Sequence, residues 1–357
     1  MINIRVELPQ GAAKGYDIFI KHDLLSEIGS KIRPIFTNTN TIALITDDNV
    51  GKLYGDCAVK SLHDAGFNVI SYSISPGEKS KNIESYYAIL CWLADHQVTR
   101  ADAIVALGGG VVGDLSGFTA STYLRGIPFI QVPTTLLAMV DSSVGGKTGI
   151  DIPAGKNLVG AFHRPSSVLC DPSVLNTLTP QVFNDGCAEV VKHGMIRSKT
   201  LLEMLLANSI NDEIAKIIEC NIIIKRDIVQ IDEFDTNQRQ LLNFGHTIAH
   251  AIEKLSNFEI SHGCAVAIGM SIITRAAVKK GFCPPKCQEV LEKLLSIYNL
   301  PIKTTYPSNA IYEAALTDKK RTGDTITEVV PYDLGECKLH KIPVVQLLEW
   351  IEMGIDL

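Results

Sequence analysis

One pattern recurs through the first half of the chain: a short apolar run ends in turn or polar residues, and a stretch with helical spacing follows. Four runs fit strands that are buried on both faces: TIALITDD (41–48), NVISYSI (68–74), DAIVALGGG (102–110) and PFIQVPTT (128–135). Stretches between them, such as residues 83–95, place apolar residues at a period near 3.6. This alternation predicts a parallel α/β sheet. The alternating residues 2–8 and 16–21 predict a hairpin.

The pattern changes near residue 180, where Thr179 and Pro180 form a favourable helix cap and first-turn pair. Long segments of helical period follow, at residues 186–197, 199–231, 240–256, 263–281, 286–298 and 344–353. Only residues 326–342 interrupt them, with hairpin-like alternation. Because 357 residues exceed what one hydrophobic core usually serves, we expect two domains. Residues 1–178 would form an α/β domain with a Rossmann-like parallel sheet and residues 179–357 a mainly α-helical domain, with a cleft between them for the chemistry.

Composition excludes several classes of protein. Apolar residues make up 46% of the chain and charged residues 20%, which is typical of globular proteins and not of disordered ones. A net charge of −6 argues against a nucleic-acid surface, which requires a basic stripe. The N-terminus lacks a signal-peptide pattern, and no apolar run reaches membrane-spanning length. The nine cysteines are scattered, and Cys283 with Cys287 has no second pair for a zinc site, so we expect reduced thiols in a cytoplasmic protein.

The motif Gly146-Lys147-Thr148 resembles the end of an ATPase phosphate loop. However, Asp141 stands where that loop requires a glycine, and a carboxylate at this position would repel phosphate. The segment is therefore interpreted as a glycine-rich stretch that supplies Lys147, Lys156 and Asn157 to some other anion.

A second glycine-rich run, LGGGVVGD at residues 107–114, follows a predicted strand and satisfies the dinucleotide pattern G-x-G-x-x-G. Alone, this pattern marks a structural turn about as often as a cofactor loop. The next strand ends without the acidic residue with which a standard Rossmann unit binds ribose. Asp47-Asp48 ends an earlier strand, and Glu78 and Lys81 follow another. A nucleotide would therefore lie across these strand ends in a non-standard register.

Histidines form a third motif. The segment NFGHTIAHAIE places His246 and His250 four residues apart, on one face of a helix, and His262 follows after a short turn. The zincin motif is excluded because Thr247 occupies the position of its glutamate. An isolated pair at this spacing is coincidental about half the time, so a further ligand is needed.

The segment CAEVVKHG offers that further ligand, because it places Glu189, Lys192 and His193 on one face of a helix. Glu189 and two of the histidines would give the three-ligand, open-position site of a catalytic divalent metal. Helix spacing by itself favours His246 with His250 as those two histidines.

Five cations lie inside or beside these motifs. A single lysine or arginine is most often a solvated surface charge. Here each accompanies a glycine, asparagine or histidine motif, so together they predict a pocket for a substrate that carries phosphate and carboxylate. They are Lys147, Lys156, Lys192, Lys225 and Arg239.

These motifs resemble, in order and spacing, those of the 3-dehydroquinate synthase family. They are PGEKSK, GGGVVGD, YLRGIPFIQVPTTLLAMVDSSVGGKTGID, GKNLVGAF, AEVVKHG, LNFGHTIAHAIE and HGCAVAIGM. The similarity covers nearly the whole chain. It implies a two-domain, cytoplasmic, homodimeric enzyme that uses NAD and a zinc or cobalt ion. Such enzymes convert 3-deoxy-D-arabino-heptulosonate 7-phosphate to 3-dehydroquinate and phosphate by transient oxidation with NAD, phosphate elimination, reduction and aldol closure.

The resemblance also implies roles for individual residues. The implied metal ligands are Glu189, His246 and His262, which leaves His250 for hydrogen bonding or proton transfer near the phosphate. The implied cofactor-binding residues are Asp47, Glu78, Lys81, Gly109, Gly110, Val111, Asp114, Thr134, Thr135, Lys147, Lys156 and Thr177. The implied substrate-binding and catalytic residues are Asp141, Lys147, Lys156, Asn157, Lys192, Lys225, Arg239, Asn243 and His250, together with Arg125, which would reach a phosphate across the dimer.

Departures from the family pattern fall outside the assigned positions: Cys264 replaces a glutamate, Ala249 a glycine and Met139 a frequent glutamine. Asn243 and the DKK motif at residues 318–320 favour this family over relatives that cyclise neutral sugar phosphates. An enzyme for an aminated substrate shares almost every motif. A metal- and NAD-dependent polyol dehydrogenase fits the glycine loop and metal ligands, but a neutral polyol offers the cations no counter-charge. A catalytically inactive binding module would not need a complete set of metal ligands.

Overall fold

The computed structural model describes residues 1–7, 15–316, 321–322 and 324–355. The chain divides into two compact units, Met1–Leu178 and Thr179–Leu357. An α/β unit followed by a mainly helical unit confirms the predicted fold class. The DKK motif at residues 318–320 lies outside the described residues.

The first unit is built on nine described strands and five helices. The strands are β1 Ile2–Val6, β2 Tyr16–Ile20, β3 Thr41–Asp47, β4 Asn68–Ile74, β5 Ala103–Gly108, β6 Phe129–Pro133, β7 Lys147–Ile152, β8 Gly155–Phe162 and β9 Ser167–Cys170. The helices are α1 Ile28–Ile32, α2 Asp48–Val50, α3 Asp56–Asp64, α4 Ile83–Asp95 and α5 Gly110–Thr122. Seven strands form one sheet in the order β1-β2-β9-β6-β5-β3-β4, and β7 and β8 form a separate antiparallel pair.

Burial explains the sheet. All six residues of β5 are buried, which is why its sequence is a continuous apolar run without alternation. Ile89 and Leu93 of α4 and Leu115 and Phe118 of α5 join the same hydrophobic core. The sheet is parallel except for the predicted hairpin of β1 and β2. The chain passes from β3 outward to β4 and returns to β5 on the other side of β3, so the carboxyl ends of β3 and β5 flank a topological switch point, where open α/β sheets bind ligands.

The second unit consists of eight described helices and a three-stranded antiparallel sheet. The helices are α6 Pro180–Arg197, α7 Lys199–Ala207, α8 Ile214–Ile231, α9 His246–Leu255, α10 His262–Lys279, α11 Pro285–Ile297, α12 Ser308–Ala315 and α13 Val344–Gly354. The strands are β10 Arg321–Thr322, β11 Thr325–Asp333 and β12 Glu336–Pro343. Helix α10 is buried along almost its whole length and is the centre of the unit. No described helix is both long and apolar enough to cross a membrane.

Two of the predicted helices differ from the sequence-based expectation. The single helix predicted over residues 199–231 is two helices, because the chain leaves helical geometry at Asn208, and Asp212 N–H then closes a turn onto the carbonyl of Ser209. Short polar side chains of this kind compete for backbone hydrogen bonds and favour turns. The helix predicted from residue 240 begins only at His246, because Gln238–Asn243 form a 3₁₀ turn and Gly245, which directly precedes α9, has a φ of +77°.

Candidate metal and nucleotide sites

Three helices of the second unit bring together Glu189, His246 and His262. Glu189 lies within α6, while His246 and His262 are the first residues of α9 and α10. Glu189 Oε1 is 3.8 Å from His246 Nε2 and 3.6 Å from His262 Nε2. Ligand atoms that surround a tetrahedral zinc ion at their usual distances are about 3.4 Å apart. The three side chains therefore fit the protein ligands of one zinc or cobalt ion.

Glycines explain how the three helices approach so closely. A Cβ atom on Gly269 of α10 would lie 2.1 Å from the carbonyl oxygen of Gly245, which directly precedes α9. A Cβ atom on Gly263 would lie 2.4 Å from the carbonyl oxygen of Asp185 in α6. Neither contact leaves room for a side chain. The backbones of α6 and α9 thus rest directly against α10, which places their side chains around one point.

The electrostatics of this group are those of a buried, charged site. Glu189 is fully buried, and its Oε2 accepts a hydrogen bond from the ammonium group of Lys192, which is 1% exposed. Burial, and after it the nearby Lys192 charge, holds the pKa of His246 well below its usual value, which favours the neutral imidazole that metals bind. Burial also lowers the pKa of His262, but contacts with the carboxylates of Glu189 and Glu253 outweigh it and raise the pKa to about 10.

His250 and Glu253 follow His246 on α9. The ring centroid of His250 is 5.7 Å from that of His246. Among the described residues, His262 and not His250 joins Glu189 and His246 in a group whose ligand atoms all lie within 4.8 Å of one another. Sequence reasoning missed Glu253, which is 2% exposed and places Oε1 3.6 Å from His262 Nδ1. Its position two helical turns after His246 was the available signal.

Lys225, Arg239 and Asn243 complete the predicted set in the second unit. Lys225 is buried on α8, and Asn243 is half-buried at the end of the 3₁₀ turn before α9. The Arg239 guanidinium donates a hydrogen bond to the carbonyl of Glu233, and its backbone N–H donates to Asp232 Oδ2 at 2.9 Å. Backbone contacts thus fix the loop that carries Arg239, a residue that is 2% exposed.

In the first unit, predicted cofactor residues lie at the switch point of the sheet. Asp47 ends β3, and its carboxylate accepts hydrogen bonds from the N–H groups of Asn49 and Val50. Gly109 follows β5 and precedes α5, whose first residues are Gly110 and Val111. The N–H groups of a first helical turn have no intrahelical acceptor and favour an anion such as a nucleotide phosphate.

Two threonines follow β6 beside this helix start. A Cβ atom on Gly109 would lie 3.1 Å from Thr135 Cγ2, so the glycine permits close packing there. The hydroxyl of Thr134 is buried and has no hydrogen-bond partner within the described part of the chain. Buried hydroxyl groups in native structures are usually hydrogen-bonded. The Thr134 hydroxyl is thus consistent with a site for a polar ligand.

Lys81 joins several predicted residues into one cluster. Its ammonium group, which is almost fully buried, donates to Asp114 Oδ2 at 2.5 Å and to Asn157 Oδ1 at 2.6 Å. Burial disfavours the charged lysine, but the negative charges around it, Asp114 first among them, raise its pKa. Lys156 Nζ lies 4.0 Å from Glu78 Oε1. Predicted cofactor and substrate residues from α5, the segment after β4 and the β7–β8 hairpin therefore meet here.

The remaining predicted residues of the first unit lie in other segments. Thr177 Oγ1 is 2.6 Å from the Tyr54 hydroxyl, Lys147 is exposed at the start of β7, and Asp141 is half-buried in the turn Ala138–Ser142. Arg125 is exposed after α5 and has a φ of +67°.

Comparison with known proteins identifies relatives over the whole chain. The profile described as 3-dehydroquinate synthase N-terminal matches residues 71–185, and the profile described as 3-dehydroquinate synthase C-terminal matches residues 186–321. A 3-dehydroquinate synthase from Clostridium kluyveri is 44% identical over 335 residues, which cover 92% of this chain and 93% of the relative.

Solved structures share the fold at lower identity. A 2-deoxy-scyllo-inosose synthase complexed with carbaglucose-6-phosphate, NAD+ and Co2+ has a TM-score of 0.87 at 24% identity, covering 99% of this chain and 100% of that one. The 2-epi-5-epi-valiolone synthase of Streptomyces hygroscopicus, with NAD+ and Zn2+ bound, has a TM-score of 0.87 at 22% identity, covering 97% and 98%. Because both family profiles match in order and the Clostridium relative covers nearly the whole sequence, the protein belongs to the 3-dehydroquinate synthase family.

Proposed function

We propose that the protein converts 3-deoxy-D-arabino-heptulosonate 7-phosphate to 3-dehydroquinate and phosphate, a step of the shikimate pathway toward aromatic amino acids. It would act in the cytoplasm as a homodimeric, NAD- and metal-dependent lyase. Residues 1–178 would bind NAD, and residues 179–357 would bind the metal and the substrate. The observation that carries the proposal is the group of buried Glu189, buried His246 and partly exposed His262, with Lys192 at its side, in a chain of this family.

Glu189, His246 and His262 would hold the zinc or cobalt ion, since their spacing fits three ligands and leaves a coordination position for substrate. The cofactor contacts would come from the residues at the switch point and around Lys81. When bound, NAD would accept a hydride reversibly from one carbon of the substrate ring, and the metal would polarise the oxygen on that carbon. The two sugar-phosphate cyclase structures contain NAD+ with Co2+ or Zn2+, which supports this pair of cofactors.

The protein's own cations would bind and orient the substrate. Lys225 and Arg239, both buried, would face its carboxylate or phosphate. Lys192 lies against Glu189 and would stabilise negative charge that develops beside the metal ligands, which is preorganised electrostatic stabilisation. His250 would exchange a proton near the phosphate.

Six further residues complete the proposed substrate and catalytic set. Asn243 lies just before α9, and Asp141, Lys147, Lys156 and Asn157 lie in the first unit. Arg125 would contact a phosphate in the partner subunit.

Two alternatives are distinguishable. An aminated substrate would use almost the same residues, and a polyol dehydrogenase would use the same metal ligands. A neutral polyol, however, has no carboxylate or phosphate for the predicted cations to bind.

The test is phosphate release by the purified, metal-loaded protein from heptulosonate 7-phosphate and from its amino analogue, each with and without NAD. We expect NAD-dependent release of phosphate and formation of 3-dehydroquinate from the heptulosonate. Phosphate release from the amino analogue alone would transfer the proposal to the aminated pathway. Absence of release from both compounds would contradict it.

A further inference from the structure

The β7–β8 hairpin contains an unusually large bulge. Ile150 pairs with Val159, and Ile152 pairs with Gly155. Between these two pairs, Asp151 is the single residue on β7, whereas residues 156–158 occupy the same interval on β8. A bulge displaces its extra residues from the ladder and redirects their side chains. The displaced residues here include Lys156 and Asn157, both predicted to bind ligands.

Asp151 holds this bulge through two hydrogen bonds. Its Oδ1 accepts the backbone N–H of Asn157 at 2.7 Å, and its own N–H donates to the carbonyl of Lys81 at 2.8 Å. The Lys81 ammonium then donates to Asn157 Oδ1 at 2.6 Å, which closes a ring of contacts among the three residues. Asn157 has a φ of +54°, a left-handed conformation that non-glycine residues adopt only when their surroundings hold it.

The charges around Asp151 show how it differs from a surface aspartate. It is half-buried and faces Lys81, with Glu78 also close. Burial raises the pKa of Asp151 to about 6, while the Asn157 hydrogen bond and the Lys81 charge oppose that rise. A neutral group with the same acceptor oxygen is therefore compatible with this environment, which suggests a conservative substitution.

We infer that Asp151 is a positioning residue, whose carboxylate holds Asn157 in its left-handed conformation and so presents Lys156 and Asn157 to the nucleotide and the substrate. The inference deepens the proposed function and rests on it for the identity of the ligands. The contacts themselves lie entirely within the first unit.

The test compares Asp151→Ala, which removes the acceptor, with Asp151→Asn, which keeps an Oδ1 acceptor without the charge. In the metal-loaded full chain we expect Asp151→Ala to raise the Kd of NAD and the KM of the heptulosonate by about tenfold, and Asp151→Asn to stay within about threefold of wild type. Asp102→Asn is the matched control, because Asp102 also accepts backbone N–H groups in this unit, from Thr41 and Thr99. It should lower Tm and leave the Kd of NAD unchanged.

Hydrogen exchange of the Asn157 amide, measured without NAD or substrate, separates this inference from the proposed function. We expect exchange at least about tenfold faster in Asp151→Ala and close to wild type in Asp151→Asn. If Asp151→Ala does not fold, Asp151→Ser replaces it, since its hydroxyl is too short to span the same distance. Wild-type exchange and wild-type Kd values in the alanine or serine variant would overturn the inference. If the Asn157 amide exchanges fast in that variant but the wild-type protein binds no NAD, the positioning role is supported. Only the proposed function is then contradicted.

Discussion

Replacement of Glu189 by glutamine tests the candidate metal site most fully, because this carboxylate contacts three partners at once. Its Oε1 lies 3.8 Å from His246 Nε2 and 3.6 Å from His262 Nε2, and its Oε2 accepts from Lys192. Glutamine has the same size and retains a carbonyl acceptor, so packing is preserved. The substitution removes the negative charge and replaces one of the two acceptor oxygens with an NH2 donor.

The expected magnitude follows from burial. Glu189 is 0% and Lys192 1% exposed, and removing one partner of a buried ion pair costs about 3–5 kcal/mol because the other charge stays in a low-dielectric environment. We therefore expect the free energy of unfolding of the metal-free second unit to fall by about 3–5 kcal/mol in Glu189→Gln. Removing both charges, in Glu189→Gln with Lys192→Met, should restore it to within about 1 kcal/mol of wild type.

Urea denaturation, monitored by tryptophan fluorescence, measures the free energy of unfolding of the second unit. The chain has two tryptophans, and Trp350 is buried in the second unit, so a Trp92→Phe background makes the signal specific for that unit. Competition with a chromophoric chelator gives the metal affinity. It should fall by more than about 100-fold in Glu189→Gln and in the double variant, which exceeds the usual effect of losing a residue that only hydrogen-bonds a metal ligand. A Glu189→Gln protein with wild-type stability and wild-type metal affinity would refute the reasoning.

Three further predictions concern the helices that carry the site. His262→Ala should lose bound divalent metal, whereas His250→Ala should keep its metal and lose activity. Metal analysis of the purified variants checks this prediction. Metal-free His250→Ala together with metal-bound His262→Ala would assign the ligand role to His250. Gly269→Ala should destabilise the protein by about 1–3 kcal/mol or more and weaken metal binding, because its Cβ would lie 2.1 Å from the Gly245 carbonyl. The control is Gly55→Ala, whose Cβ meets nothing within 4 Å, and thermal unfolding of the full chain by calorimetry compares the two variants. The pKa of His262 is raised to about 10, so in metal-free protein its contribution to the free energy of unfolding is complete below pH 6.5 and is lost as the pH rises toward 10. His262→Gln should lack this part of the pH dependence of stability. An unchanged stability profile in this variant would contradict the contact of His262 with Glu189 and Glu253.

Much of the α/β unit was predictable because burial on both faces leaves a direct record in sequence. The apolar run ending in Gly108 is a strand in which every residue is buried, and the predicted helix at residues 83–95 is α4. Such segments depend on local periodicity alone, and sequence analysis detects periodicity directly. The family motifs then supplied the site residues that periodicity could not.

The features that escaped prediction depend on contacts between distant segments. Helix spacing favoured His250 as a ligand, but the packing of Gly245 against Gly269 brings the start of α9 to α10 and places His262 beside His246. Glu253 and Asp151 become significant only through partners in other segments, namely His262 and Lys81. The position of Glu253 two helical turns after His246 was a signal in the sequence, but its contact with His262 was not.

The central claim is that NAD acts as a catalyst and is not consumed, and one measurement tests it directly. Metal-loaded protein is mixed with excess heptulosonate 7-phosphate and with NAD at about one hundredth of the substrate concentration. Phosphate and reduced nicotinamide are measured together over time. We predict many equivalents of phosphate per NAD, while reduced nicotinamide stays below the enzyme concentration. Continuous accumulation of NADH with glycerol or another simple polyol, with no phosphate released from the heptulosonate, would contradict the account and identify a dehydrogenase.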